Sequence, residues 1–297
     1  VELIDKLHNS EELKIKTYIM LTDNEENFNH YVINLNGPIK TKKMNVRSFK
    51  FFADGSLGSR GACLINPYLD NQRTHGQLLQ NIDTFNTKLN TLKLYGFQAC
   101  THAIGDSANR IITSSYANVL SGSNDLRWRI EHVQCITDKD IEILGKYNII
   151  PSVQPTHATS DFSWAIQRLG IKRLENCYRY DQLKNQNNLI ALGTDFPVEK
   201  INPIHTFYAA TFRKNYDDKP LGGFQPDESL SRVDALKGMT IWAAIANFEE
   251  NEKGSIEKGK AADLTILNTD LITCEENEIL NSKVLYTIVD GEIVYEN

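Results

Sequence analysis

The sequence has no C-x-x-C pair, and its cysteines are odd in number: Cys63, Cys100, Cys135, Cys177 and Cys274. That argues against a disulfide framework and points to reduced thiols in a cytoplasm-like compartment. Cys100 and Cys135, in or beside apolar strands, read as core fillers. No apolar run is long enough to cross a bilayer, which excludes a spanning helix. There is no clustered basic stretch, and the net charge of −6 with a pI near 5.7 argues against nucleic acid as the main partner. There is no signal-peptide pattern, no internal repeat and no low-complexity linker. What remains is ordinary globular material, 41% hydrophobic and 24% charged over 297 residues. That length suits one large domain plus an appendage.

One stretch organises the rest. FQACTHAIGD, Phe97 to Asp106, is a short apolar strand that ends in Thr101 and His102, turns at Gly105 and enters a helical pattern. A histidine at the carboxyl end of a buried strand, just before a helix, is where an α/β barrel puts its chemistry. One such histidine is equally well a satisfied corner residue, but the layout recurs. WRIEHVQC ends at His132, LIALGTDFPV ends at Asp195 before Pro197, and VRSFKFFADGS carries Lys50 and ends at Asp54. If these strands are parallel neighbours, their carboxyl ends share one rim. Two imidazoles and a carboxylate there are zinc-type ligands.

Along the chain, Val1 to His8 reads as helix. Strands are expected to begin near Leu13, Val46, Phe97, Arg127, Ile149 and Leu189, with helical patterns between them. Such alternation is the parallel α/β signal. Helices are expected over Asn81 to Leu94, Asp138 to Tyr147, Phe162 to Leu169, Lys172 to Gln186 and Ser231 to Phe248, and a short extended piece over Thr74 to Leu79. The tail from Gly254 changes to β patterning, with Asp290–Gly291 as a hairpin signal. The division expected is 1–250 for the barrel and 251–297 for a small β segment. The loop DGSLGSRGA offers Gly55, Gly58 and Gly61, but not at dinucleotide-fingerprint spacing, and no Lys-Ser/Thr pair follows. It reads as a close-approach loop rather than a phosphate cradle.

The segments FKFFADGSLGSRGA, THAIGDSANR, RIEHVQ, PSVQPTH, ALGTDFPVE and GSIEKGKAADLTIL…TIVDGEIVYE resemble, in order and over nearly the whole chain, the metal-dependent amidohydrolase superfamily. Within it they resemble the YtcJ-like, or amidohydrolase-3, branch. The resemblance implies an α/β fold, a (β/α)8 barrel holding one or two divalent metals, with a small β-sandwich built from both chain ends. It implies metal contacts from Lys50, His102, His132 and Asp195, with Asp195 also handling the proton of the attacking water. Lys50 matches a position where relatives carry a carboxylated lysine or a glutamate; the other reading is a buried lysine paired with Asp54 or Asp195. The same resemblance turns Asp54, Arg60, Gln154 and His157 toward substrate or toward the ligands, although His157 is as readily a corner-packing residue.

The first-strand His-x-His pair of that branch is absent, and only six of eight strands are expected. The chain therefore reads as a C-terminal portion of a longer enzyme, with an incomplete barrel and part of the sandwich. The implied activity is hydrolysis of an amide or cyclic amide C–N bond in a small molecule by metal-activated water, with zinc the expected ion. The portion by itself is expected to show little or no turnover, and its uncovered sheet edges are expected to favour self-association as a homo-oligomer or ordered covering segments. A barrel that binds or regulates without turnover is the alternative.

Overall fold

The computed structural model describes residues 1–297. In chain order its strands are β1 (Thr17–Thr22), β2 (Ile39–Lys40), β3 (Met44–Phe52), β4 (Gln98–Ala103), β5 (Arg129–His132), β6 (Ile150–Val153), β7 (Ala191–Leu192), β8 (Leu264–Leu267), β9 (Val284–Val289) and β10 (Glu292–Glu296). Six of them form a parallel sheet in the order β1-β3-β4-β5-β6-β7, and β2 pairs antiparallel with β3. All six parallel strands fall where the apolar runs place them. Between them lie helices such as Ile82–Tyr95, Asp106–Leu120 and Asp138–Lys146.

The period-2 alternation decides which residues face which layer. On β3, Phe49 and Phe51 point outward; the Phe51 ring lies 5.2 Å, edge to face, from Phe85 of the covering helix. On β4, Thr101 points the same way and shares a 2.7 Å hydrogen bond with Tyr116. The other face carries Tyr18, Ser48, Lys50, Gln98, Cys100, His102, Arg129 and Glu131. Tyr18 of β1 donates to Gln98 of β4 at 3.0 Å, and Arg129 of β5 reaches Met20 of β1 at 3.6 Å. Strands three places apart touch across that face, so the sheet is curled into a half-barrel with a polar concave side.

Local chemistry sets the element ends. Asn81 caps its helix by accepting from the Thr84 N–H, and Gly96 stops it in the left-handed region. Asn202 caps the helix Pro203–Phe212, with Pro203 in its first turn. Gly105 permits the tight turn after β4: a Cβ there would lie 2.0 Å from the Cys63 carbonyl oxygen. The segment 245–250 closes the amino ends of the strands. Gln98 donates to the Ala246 carbonyl, Arg129 to Asn247, and Arg127 to the Ile245 carbonyl and to Glu250.

The tail makes a separate antiparallel sheet, β10-β9-β8. Asp290 and Gly291 both have positive φ (52° and 86°), as a two-residue hairpin turn matching strand twist requires. Lys16, just ahead of β1, pairs with Asp263 and Asp290 of this sheet at 2.8 and 2.7 Å.

Several expectations are corrected. Cys135 and Cys177 are not free thiols but a disulfide across 42 residues, brought together by an antiparallel bridge between two turns; Cys63, Cys100 and Cys274 are free. The segment expected as one helix from Lys172 to Gln186 is split by that bridge into Ile171–Leu174 and Tyr180–Asn187. The helix expected to begin at Phe162 is preceded by another, Pro155–Asp161, and resumes at Ala165–Leu169. The helix from Ser231 breaks at Thr240, whose φ of −126° and ψ of −97° are not helical. Thr74 to Leu79 forms no strand. No helix is long and apolar enough to cross a membrane.

Candidate metal centre

The carboxyl ends of β4, β5, β6 and β7 bring four groups to one rim. His132 closes β5 with φ of 74°, and Val133 follows with φ of 45°. A β-branched residue in that region is strained, and such strain persists only where the surroundings fix it. The turn is fixed by Cys135 N–H on the Ile104 carbonyl at 2.9 Å and by Asn109 on the Cys135 carbonyl at 3.0 Å. Asp195, two residues beyond Gly193, also has positive φ, at 59°. His157 lies in the helix Pro155–Asp161, directly after β6.

Ligand atoms of His132, His157 and Asp195 all lie within 4.8 Å of one another. His102 stands beside them, its ring 4.6 Å from that of His132. Its Nε2 is buried without a hydrogen-bond partner, 3.5 Å from Asp54, and His132 Nδ1 is likewise orphaned. Burial, helped by the nearby Lys50 charge, pushes His102 down to about 4. Burial, with His102, His157 and Lys50 around it, pushes His132 down to about 3. Both are therefore neutral near pH 7, the form in which imidazole ligates. His157 is the opposite case. Burial alone would lower it, but hydrogen bonds to Asp195 (3.1 Å) and Glu199 (3.3 Å) carry it up to about 9. Burial pulls Asp195 up, yet His157, His132 and Lys50 hold its carboxyl below the usual range.

Two imidazoles and an ionised carboxylate within mutual reach, His132, His157 and Asp195, form the donor set of a zinc-type ion, with the orphaned His102 Nε2 bordering that group rather than belonging to it. The residues thus fit the ion that the resemblance implies. Lys50 lies on the concave face two residues before the end of β3, with its Nζ 5.0 Å from the Phe52 ring. It stands near His102, His132 and Asp195, close enough to shift all three.

The four residues read as substrate-facing are placed differently. Asp54 is buried and accepts from the backbone N–H groups of Cys63 (2.8 Å), Ile104 (3.0 Å) and Gly105 (2.8 Å). It ties the loop after β3 to the turn after His102. Arg60 forks onto Asp70 at 3.0 and 2.9 Å, and Asp70 is shared with Arg168. Gln154, directly after β6 and before the helix Pro155–Asp161, has a buried, unpartnered Oε1. His157 joins the metal-competent cluster itself. Glu199, in ALGTDFPVE, carries no mark in the sequence that sets it apart, yet it lies 3.3 Å from His157. Glu131 and Arg129 are likewise site residues beyond the expected set, a pair buried on the concave face at 3.0 Å. Charges alternating with Ile130 and His132 in RIEH were the available signal.

The family model for the amidohydrolase family matches residues 3–295. The chain is 34% identical over 262 residues to Protein LONG AFTER FAR-RED 3 of Arabidopsis thaliana, covering 87% of this chain and 44% of that protein. It is 30% identical over 251 residues to the putative amidohydrolase YtcJ of Bacillus subtilis (strain 168), covering 84% and 47%. An uncharacterized metal-dependent hydrolase from Pyrococcus furiosus superposes with a TM-score of 0.80 at 28% identity, over 92% of this chain and 54% of that one. The chain thus spans about half the length of the relatives it matches.

Proposed function

The chain belongs to the amidohydrolase family, and from that premise we propose that its rim is the metal-dependent site of a hydrolase that cleaves a C–N bond, an amide or cyclic amide, in a small molecule. The observation that carries this reading is the convergence of His132, His157 and Asp195 within 4.8 Å, with neutral His102 alongside. His102, His132 and Asp195 would hold a zinc-type ion, and a carbamate on Lys50 would supply a further oxygen. When bound, such an ion supplies Lewis acidity for a carbonyl and lowers the pKa of a water. Asp195 is the proton acceptor: its carboxyl is held below the usual range, and it lies within 4.8 Å of ligand atoms on His132 and His157. The proton it takes from water goes to the leaving nitrogen as the C–N bond breaks. His157 holds Asp195 through a 3.1 Å bond and is itself oriented by Glu199. Gln154, with its unpartnered amide oxygen at the next strand end, is the polar group left free to meet the substrate.

The test is metal analysis of the purified chain, then a panel of small amides, cyclic amides and formamides assayed with and without added zinc. About one equivalent of metal, lost on Asp195→Ala together with His132→Ala, is expected. A chain that takes up no divalent metal at any pH between 6 and 8 would overturn the reading.

A further inference from the structure

The helix that carries His157 is seven residues long, and no side chain caps its start. A helix that short is not stable by itself, so contacts from outside must set its orientation. Its last residue is Asp161, an acid at the end of a helix where the dipole disfavours negative charge. Burial pushes Asp161 up to about 6. A half-buried carboxylate in that place needs partners, and it has two. Tyr178 Oη donates to Asp161 Oδ2 at 2.8 Å and Gln134 Nε2 donates to the same oxygen at 3.2 Å. Gln134 also donates to Tyr178 Oη at 2.9 Å.

These two partners are not independent. Gln134 precedes Cys135 and Tyr178 follows Cys177, the two ends of the disulfide. The backbone closes the same contact, with Tyr178 N–H on the Gln134 carbonyl at 2.7 Å and Ile136 N–H on the Asn176 carbonyl at 2.9 Å. Both sulfurs are buried. Asp161 lies one helical turn beyond His157, on the same face. On the other side of the disulfide, the strained His132–Val133 turn lies two residues before Cys135.

We propose that Asp161 is a positioning residue for His157, and that the Cys135–Cys177 bond braces both His157 and His132 in the geometry that receives the metal. The inference rests on the metal-centre reading given above. Asp161 touches neither ligand atoms nor reacting atoms. It fixes where the helix ends, and therefore where His157 sits against Asp195 and Glu199. Reduction of the bond by a dithiol yields two cysteine thiols and an oxidised dithiol, and frees the two turns to separate.

The experiment is cobalt(II) titration of the full chain, followed by calorimetry and by the visible d–d bands, on wild type, Asp161→Ala, Asp161→Asn and Cys135→Ala/Cys177→Ala. Asp161→Ala should weaken binding about 10-fold, the lower end of the range for losing a partner outside the ligand set, because it acts on Asp195 through His157, and change the band pattern. Asp161→Asn keeps an oxygen able to accept from both Tyr178 and Gln134, and should restore wild-type bands and affinity to within about threefold of wild type. The double cysteine variant should resemble Asp161→Ala. Thiol titration of the denatured, unreduced chain should find three free thiols. Asp161→Ala binding cobalt as wild type does, Asp161→Asn failing to rescue, or five free thiols would each overturn the proposal. If the double cysteine variant does not fold, the Asp161 pair decides alone. Wild type binding no cobalt would instead sink the metal-centre reading itself.

Discussion

Asp54→Ala separates a structural clamp from a substrate contact. In the fold, Asp54 accepts three backbone N–H bonds at 2.8 to 3.0 Å. Deleting the carboxylate orphans three backbone donors, two buried and one part-buried, at about 1–3 kcal/mol each, or roughly 3–9 kcal/mol in all. Against this, burial pushes the Asp54 carboxyl up to about 6 even with those bonds made. Holding it ionised at pH 7 costs about 3 kcal/mol, at about 1.4 kcal/mol per pKa unit, and the deletion removes that penalty. The difference centres on about 3 kcal/mol of lost stability. Urea unfolding followed by fluorescence reads it directly, because Trp128 is fully buried and its Nε1 donates to the Phe97 carbonyl at 3.1 Å. Amide exchange at Cys63, Ile104 and Gly105 should rise selectively. A loss below about 1 kcal/mol, with exchange unchanged at those amides, would refute the clamp and return Asp54 to the substrate. The sign of the pH dependence is also fixed. A carboxyl raised in the fold makes the folded state bind more protons, so its contribution to stability declines as pH rises from about 4 to about 6.

His157 gives a second pH signature in the chain stripped of metal. Its folded pKa of about 9 lies above the ordinary 6.5, so its contribution is fully present below 6.5 and lost as pH rises through about 9. The Asp195 and Glu199 shifts are the same interaction seen from the partners and are not added. Melting temperature should fall across pH 7 to 10 for wild type and stay flatter for His157→Gln; parallel curves would contradict the assignment. Gly105→Ala should cost about 3 kcal/mol or more, because the new Cβ meets backbone rather than a movable side chain; soluble protein with wild-type melting would show the turn to be slack. Saturating zinc at about a hundred times its dissociation constant should stabilise the chain by about 2.7 kcal/mol, an effect that chelation reverses. Unchanged melting with zinc bound would place the ion outside the folded rim.

The six parallel strands were legible because their outward positions recur as apolar residues, Phe49, Phe51 and Ile130 among them, and four of the six end in ligand-type residues: Lys50 near Asp54, His102, His132 and Asp195. Ligand types at strand ends follow from that alone. What escaped depends on distance in space. THATS looks like a loop, since Thr and Ser are poor helix formers, yet Pro155 at the helix start and packing onto the rim make it helical. Cys135 and Cys177 lie in turns whose pairing has no local signature. Asp54 sits at a strand end like the candidate ligands, and nothing in ADGS says that its oxygens are spent on backbone amides from a different turn.

The strip from Ile245 to Glu250 acts as a stopper under the strands, with Gln98, Arg127 and Arg129 hooked to it from above. Along the strand direction the lumen is thereby floored: the histidines lie at the opposite ends of the strands from this strip. Trimming the chain upstream of Ile245 would uncover the polar lumen from beneath, so this strip belongs to the working body of the molecule.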